Sequence, residues 1–211
     1  MNVLKAGLIS SWTTCLLLII YIPVTIIGIL SIETPADPIH DPYFSIMELL
    51  IILIAPLLTV NTVVIYLNSK NSDKVYGMIS MILMSILTVI TSSVHFVVLT
   101  ASRTIEQLGL ENASLFFSFE WPSVAYALDI LAWDWFFALS MIMGAFTFNA
   151  TKQERLLRAI MIISGVISLS GLAGVPLSNM NIRNIGIIGY TIIAAIAFFI
   201  MGTVYKKQMK I

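Results

Sequence analysis

The sequence predicts an all-α, polytopic membrane protein: one domain over residues 1–211, built as a bundle of six transmembrane helices with both termini cytoplasmic. Three observations carry this. Hydrophobic residues make up 59% of the chain and charged residues 10%, with a mean hydropathy of +0.99, an excess that a soluble domain of this size does not need. The apolar residues fall into six runs, each close to the ~20 residues that a helix needs to cross a hydrocarbon core of about 30 Å. The basic residues collect at one set of helix ends.

Taken in order, the first helix is expected over about residues 6–31. Its charged start at Lys5 precedes a run too long for a signal-peptide core, and no small-residue cleavage pattern follows it, so it reads as retained. It holds the single cysteine, Cys15, which excludes an internal disulfide. The stretch Thr34 to Pro42 contains three prolines, each lacking an N–H and turning the preceding residue away from the α region, so the chain breaks there. A second helix follows over 44–68 and, after the polar turn Asn68 to Asp73, a third over 75–102. An outer loop, 103–121, carries Leu115 to Phe119, which either lies along the interface or folds over the bundle as a lid. The fourth helix spans 122–149 with Pro122 in its first turn, where a missing N–H costs nothing. The fifth, 156–176, is rich in Ser164, Gly165, Ser168, Gly171 and Gly174, residues that permit close helix packing. The sixth spans 185–205. No internal repeat of three plus three helices is visible.

Lysine plus arginine equals aspartate plus glutamate at 11 each, so net charge points to no nucleic acid partner; the partner the composition implies is the bilayer. The distribution is informative instead. Lys5, Lys70, Lys74, Lys152, Arg155, Arg158, Lys206, Lys207 and Lys210 fall at one side, and only Arg103 and Arg183 at the other. The first side is therefore cytoplasmic, and the opposite loops, with Glu33, Asp37, Asp41, Glu106, Glu111 and Glu120, form an acidic outer face. The expected location is the cell membrane, multi-pass, in a prokaryote.

Function is expected to centre on the stretch Glu120 to Phe137, which places Asp129 and Asp134 among six aromatic residues in one apolar segment. A carboxylate at the bilayer centre costs roughly 2.5 to 3.5 kcal/mol on insertion scales, so each needs protein, water or ligand around it. From the ~1.5 Å rise per residue, Glu48 on the second helix, His95 on the third and Asp129 on the fourth reach one level in the outer half. Ser92 and Thr88 continue the polar face of the third helix from His95. Asp129 and Asp134, five residues apart, lie about 140° apart on an α-helix, so Asp134 is expected deeper or toward another helix. Tyr126, Trp133 and Phe136 or Phe137 stand at helical spacing from Asp129 and would line the same space.

Plain structural roles compete with each of these. His95 can simply hydrogen-bond between helices, and Glu48 can cap or snorkel near the interface. Glu120 with Trp121 can act as an interfacial anchor, and Arg103 as an edge residue rather than a counter-ion of the carboxylates. No spaced metal-ligand cluster, phosphate-binding glycine loop or Gly-x-Ser-x-Gly elbow occurs, so no metal or cofactor is expected. The mix of intramembrane carboxylates, a histidine and tryptophans is similar in type to the small membrane isomerases that handle sterols. Their motifs do not recur in order here, and no residue role is taken from them.

Two functions remain beside a purely structural or assembly role. The first is a membrane-embedded acid–base enzyme acting on a lipid or isoprenoid-type substrate, with Asp129 as acid or cation stabiliser, His95 its base partner, Glu48 and Asp134 further carboxylates, and Tyr126, Trp133, Phe136, Ser92, Thr88, Arg103 and Glu120 as ligand contacts. The second is a non-enzymatic binder or proton-coupled carrier, or a substrate-binding subunit of a larger transporter, for a small amphipathic and possibly cationic ligand.

Overall fold

The computed structural model describes residues 2–32, 39–107 and 112–209, apart from the side chains of Arg103, Glu106 and Gln107. Among these residues the secondary structure is entirely helical: α1 (Val3–Leu30), α2 (Tyr43–Asn68), α3 (Lys74–Gln107), a short α4 (Ser114–Phe117), α5 (Val124–Ala145), α6 (Lys152–Gly174) and α7 (Met180–Gln208). All but α4 are long and apolar enough to cross a membrane.

Each spanning helix packs against its neighbours in sequence, and α7 returns to α1, so the six close into a ring. The outward faces carry large apolar side chains such as Leu16, Leu53, Val89, Phe96 and Phe199, each more than half exposed. Polar side chains turn inward instead. Asn61 on α2 accepts from Ser10 Oγ (2.9 Å) and Ser11 Oγ (2.7 Å) of α1 and donates to Thr14 Oγ1 (3.1 Å) and the Leu57 carbonyl (2.9 Å). Across α3 and α5, Ser80 and Ser140 each donate to the other's backbone carbonyl at 2.8 and 2.7 Å. Such contacts matter where burial of apolar surface cannot drive helices together, since lipid is as apolar as leucine. Asn61→Ala, which leaves three serine and threonine hydroxyls short of their shared partner, is expected to cost roughly 1 to 3 kcal/mol, measured as a lowered unfolding midpoint in detergent.

The helix ends follow local rules. Thr151 caps α6 by accepting from Glu154 N (3.1 Å), while Glu154 Oε2 accepts from Ala150 N (2.7 Å). Ser123 caps α5 by accepting from Tyr126 N (3.1 Å). Helix α5 thus begins at Val124, two residues beyond the expected start, and Pro122 precedes the cap rather than occupying the first turn. Two other boundaries differ usefully. Helix α3 continues to Gln107, so the outer loop is shorter than expected. Helix α7 begins at Met180 rather than 185, because Asn179 accepts from the N–H groups of Asn181 and Ile182 and so caps a polar first turn that hydropathy alone passes over. Arg183 therefore sits inside a helix.

Two helices widen locally to π geometry, α5 at Leu131–Phe137 and α7 at Gly189–Ile193. The widened turns meet: Trp133 lies 5.1 Å from Tyr190 between ring centroids, and Phe137 lies 6.3 Å from the same ring. Interruptions of this kind often accompany functional sites.

Candidate functional site

At the α5 start of the bundle, the ring of helices surrounds a cavity of about 900 Å³. Helices α1, α2, α3, α5 and α7 all contribute to its wall, and residues 117–120 extend over it. Much of the wall is apolar, with Leu18, Ile51, Val98, Phe119, Trp133 and Ile187 prominent. One side carries a continuous line of charged groups.

That line begins on α2. Glu48 Oε2 lies 2.8 Å from His95 Nδ1 on α3, and His95 Nε2 lies 3.3 Å from Asp129 Oδ1 on α5. Arg183 Nη2 on α7 donates to Asp129 Oδ2 at 3.4 Å. Arg183 Nε then faces Asp134 Oδ2 at 3.3 Å, an ion pair whose angle falls outside that of a hydrogen bond. All five are enclosed: Asp134 and Glu48 are 0% and 3% exposed, Arg183 3%, His95 6% and Asp129 9%. The guanidinium also stands 4.9 Å over the Tyr126 ring and 6.0 Å from that of Tyr190, a cation–π arrangement that favours the charge where water is scarce.

The five-residue spacing of the two aspartates does not separate them as an α-helix would. Asp134 lies in the π segment, where hydrogen bonds run from i to i+5 and residues five apart return toward the same side. Both carboxylates therefore meet one arginine. Their counter-ion is Arg183, a residue expected outside the helices. The side chain of Arg103, the candidate considered for that role, lies outside the described residues.

Small residues position the arginine. Gly174 lies so close to the backbone of Arg183 that a Cβ there would stand 2.5 Å from its nitrogen, and a Cβ on Gly171 would stand 2.8 Å from its carbonyl oxygen. Gly186 lets α7 approach Asp134, since a Cβ would fall 2.5 Å from Oδ1 and 3.0 Å from the Ser168 carbonyl. Gly186→Ala must push either the carboxylate or α6 aside, and is expected to cost about 1 to 3 kcal/mol as overpacking, read as a lower thermal midpoint.

Of the residues expected from sequence, Glu48, His95, Asp129, Tyr126, Trp133 and Glu120 line the cavity together. Asp134 stands behind Arg183, out of the cavity. Three of the expected ligand contacts fall elsewhere in the fold. Thr88 Oγ1 donates to the Ala55 carbonyl (2.8 Å) and pairs with Thr59 Oγ1 (2.7 Å), joining α3 to α2 away from the cavity. Ser92 lies off the wall, and Phe136 packs on the main apolar core. The polar face of α3 thus divides along its length, serving helix packing at Thr88 and the cavity at His95. Tyr21, Tyr190 and Arg183 line the wall without having been singled out. The signal for Arg183 was present in Asn179, a favoured N-cap residue that starts the helix early enough to include it.

Chemically, the line can hold and pass a proton. Ionised carboxylates only accept hydrogen bonds, and a neutral imidazole has a single N–H. Hydrogen bonds from both ring nitrogens of His95 to two carboxylates therefore require either an imidazolium or a protonated carboxyl group. Arg183 brings one positive charge to two aspartates, and Asp129 turns its second oxygen to His95. The Phe119 ring, 5.1 Å from the imidazole, covers it from the side of the 117–120 segment. Among the described residues no group of three His, Cys, Asp or Glu side chains is placed to hold a metal ion.

Compared with models of known families, with characterised proteins and with solved structures, the chain shows no significant match.

Proposed function

We propose that the chain is a multi-pass protein of the cell membrane and an acid–base enzyme acting on a lipid or isoprenoid-type substrate held in the cavity. The observation that carries this reading is His95 suspended between Glu48 and Asp129 on the wall of an amphipathic cavity. Asp129 is the group that meets the substrate, its side chain being 12% exposed against 7% for His95 and 4% for Glu48. His95 exchanges the proton with it, and Glu48 orients the imidazole. Arg183 holds Asp129 in place and Asp134 holds Arg183, so the last two are positioning residues.

The membrane assignment is supported by six spans of sufficient length and by their apolar outer faces. The distribution of basic residues supports cytoplasmic termini, and with them a cavity in the outer half of the bilayer. The acidic side chains of Asp41 and Glu120 then stand at its outer mouth.

The test uses solvent deuterium. Protein purified with membrane lipid is incubated in heavy water, and recovered lipids are compared by mass spectrometry between wild type and Asp129→Asn. Proton transfer to and from carbon incorporates deuterium into one lipid species in wild type and not in the variant. A bound molecule recovered unlabelled and unaltered from wild type would instead favour a binder or carrier.

A further inference from the structure

We infer that the cavity takes a substrate whose polar head is an uncharged hydroxyl rather than an ammonium, phosphate or carboxylate group. The inference rests on the acid–base reading of the same site and narrows its substrate. A carboxylate beside aromatic rings is, by itself, a receptor for cations, and the spacing of Asp129, Tyr126 and Trp133 suggested one. The structure fills that receptor from within. The guanidinium of Arg183 occupies the faces of Tyr126 and Tyr190 and contacts both Asp129 and Asp134.

Glu48 and Asp129 in turn are joined through His95. Every buried charged side chain described on this wall thus already has a protein group of complementary character beside it. A charged head entering the cavity would lose its water and find its place taken, a loss that an ion recovers only through a dedicated partner. An anionic head would in addition pass Glu120 at the mouth, which is exposed and acidic.

A hydroxyl meets different conditions. It both donates and accepts, so it can bond to the exposed edge of Asp129 without displacing Arg183. Thr25, Ser102 and Thr191 donate their hydroxyl protons to the carbonyls of Tyr21, Val98 and Ile187 and leave oxygens on the wall that can accept from a ligand hydroxyl. The remainder of the lining is aliphatic and aromatic and suits an apolar body, and a volume of about 900 Å³ lies at the upper end of the range for small-molecule sites.

The experiment compares head groups on constant bodies. Full-length protein in nanodiscs of zwitterionic lipid is titrated with farnesyl, sterol and hexadecyl bodies, each carrying a hydroxyl, a trimethylammonium or a phosphate head, and saturable binding is measured at equilibrium. For at least one body the alcohol is expected to bind ten times or more tighter than both charged counterparts. Binding of a charged member within tenfold of its alcohol, or tighter, for every body that binds would overturn the inference while leaving the cavity a ligand site. Absence of saturable binding by any alcohol would also overturn it. The acid–base reading stands or falls separately, on deuterium incorporation into lipids recovered from the membrane, whatever head group they carry.

Discussion

Replacing Arg183 by methionine is expected to destabilise the folded protein by about 3 to 5 kcal/mol, the usual cost of leaving a buried charge without its partner. Asp134 is the reason for the size of the effect. It is 0% exposed, neither of its oxygens has a hydrogen-bond partner, and Arg183 at 3.3 Å is its counter-ion. Asp129 loses a contact as well but keeps His95. The double variant Arg183→Met, Asp134→Asn should therefore recover part of the loss, with a coupling of about 0.5 to 3 kcal/mol expected for residues in contact. Arg183→Lys should fall between, because a point charge cannot reproduce the planar fork that meets two carboxylates and two rings at once. Unfolding in detergent, followed by near-ultraviolet circular dichroism, measures all three. A loss below 1 kcal/mol for Arg183→Met would show that Asp134 does not depend on the ion pair.

On the proposed acid–base reading, Asp129→Asn is expected to lower proton transfer to the substrate by about 10² to 10⁴, the usual contribution of a positioned general acid or base, with a small change in stability. The amide keeps the size of the side chain and can still receive a hydrogen bond from Arg183, but it cannot take up or release a proton. Glu48→Gln should have a smaller effect on the same reading, since Glu48 contacts the imidazole and reaches Asp129 only through it. Ser92→Ala provides the contrast: the side chain lies off the cavity wall, and deuterium incorporation should be unchanged. Equal losses for Asp129→Asn and Ser92→Ala would indicate a general effect on folding rather than a role in proton transfer.

The approach of Glu48, His95 and Asp129 could be read from the chain because depth along a helix follows from the count of residues. Each lies a known number of turns from an interfacial end, and adjacent helices run antiparallel. Azimuth was less legible. Thr88 and Ser92 share the face of His95 on an ideal helix, yet Thr88 turns to α2. Which neighbour a polar face meets depends on how the ring closes, and periodicity carries no information about that.

Composition and the spacing of apolar runs determined that the chain forms six spanning-length helices, and the ionisable residues inside those runs marked the candidate site. The tertiary structure alone decided how those groups are connected. A local π turn, whose cost or benefit is set by packing between α5 and α7, carried Asp134 round to the arginine that also holds Asp129. Close glycine contacts between α6 and α7 placed Arg183 between the aspartates. Hydropathy is a sum over neighbours in sequence and registers the first kind of information. The second resides in contacts between residues distant in sequence, such as Asp129 and Arg183, 54 positions apart, which only the folded chain brings together.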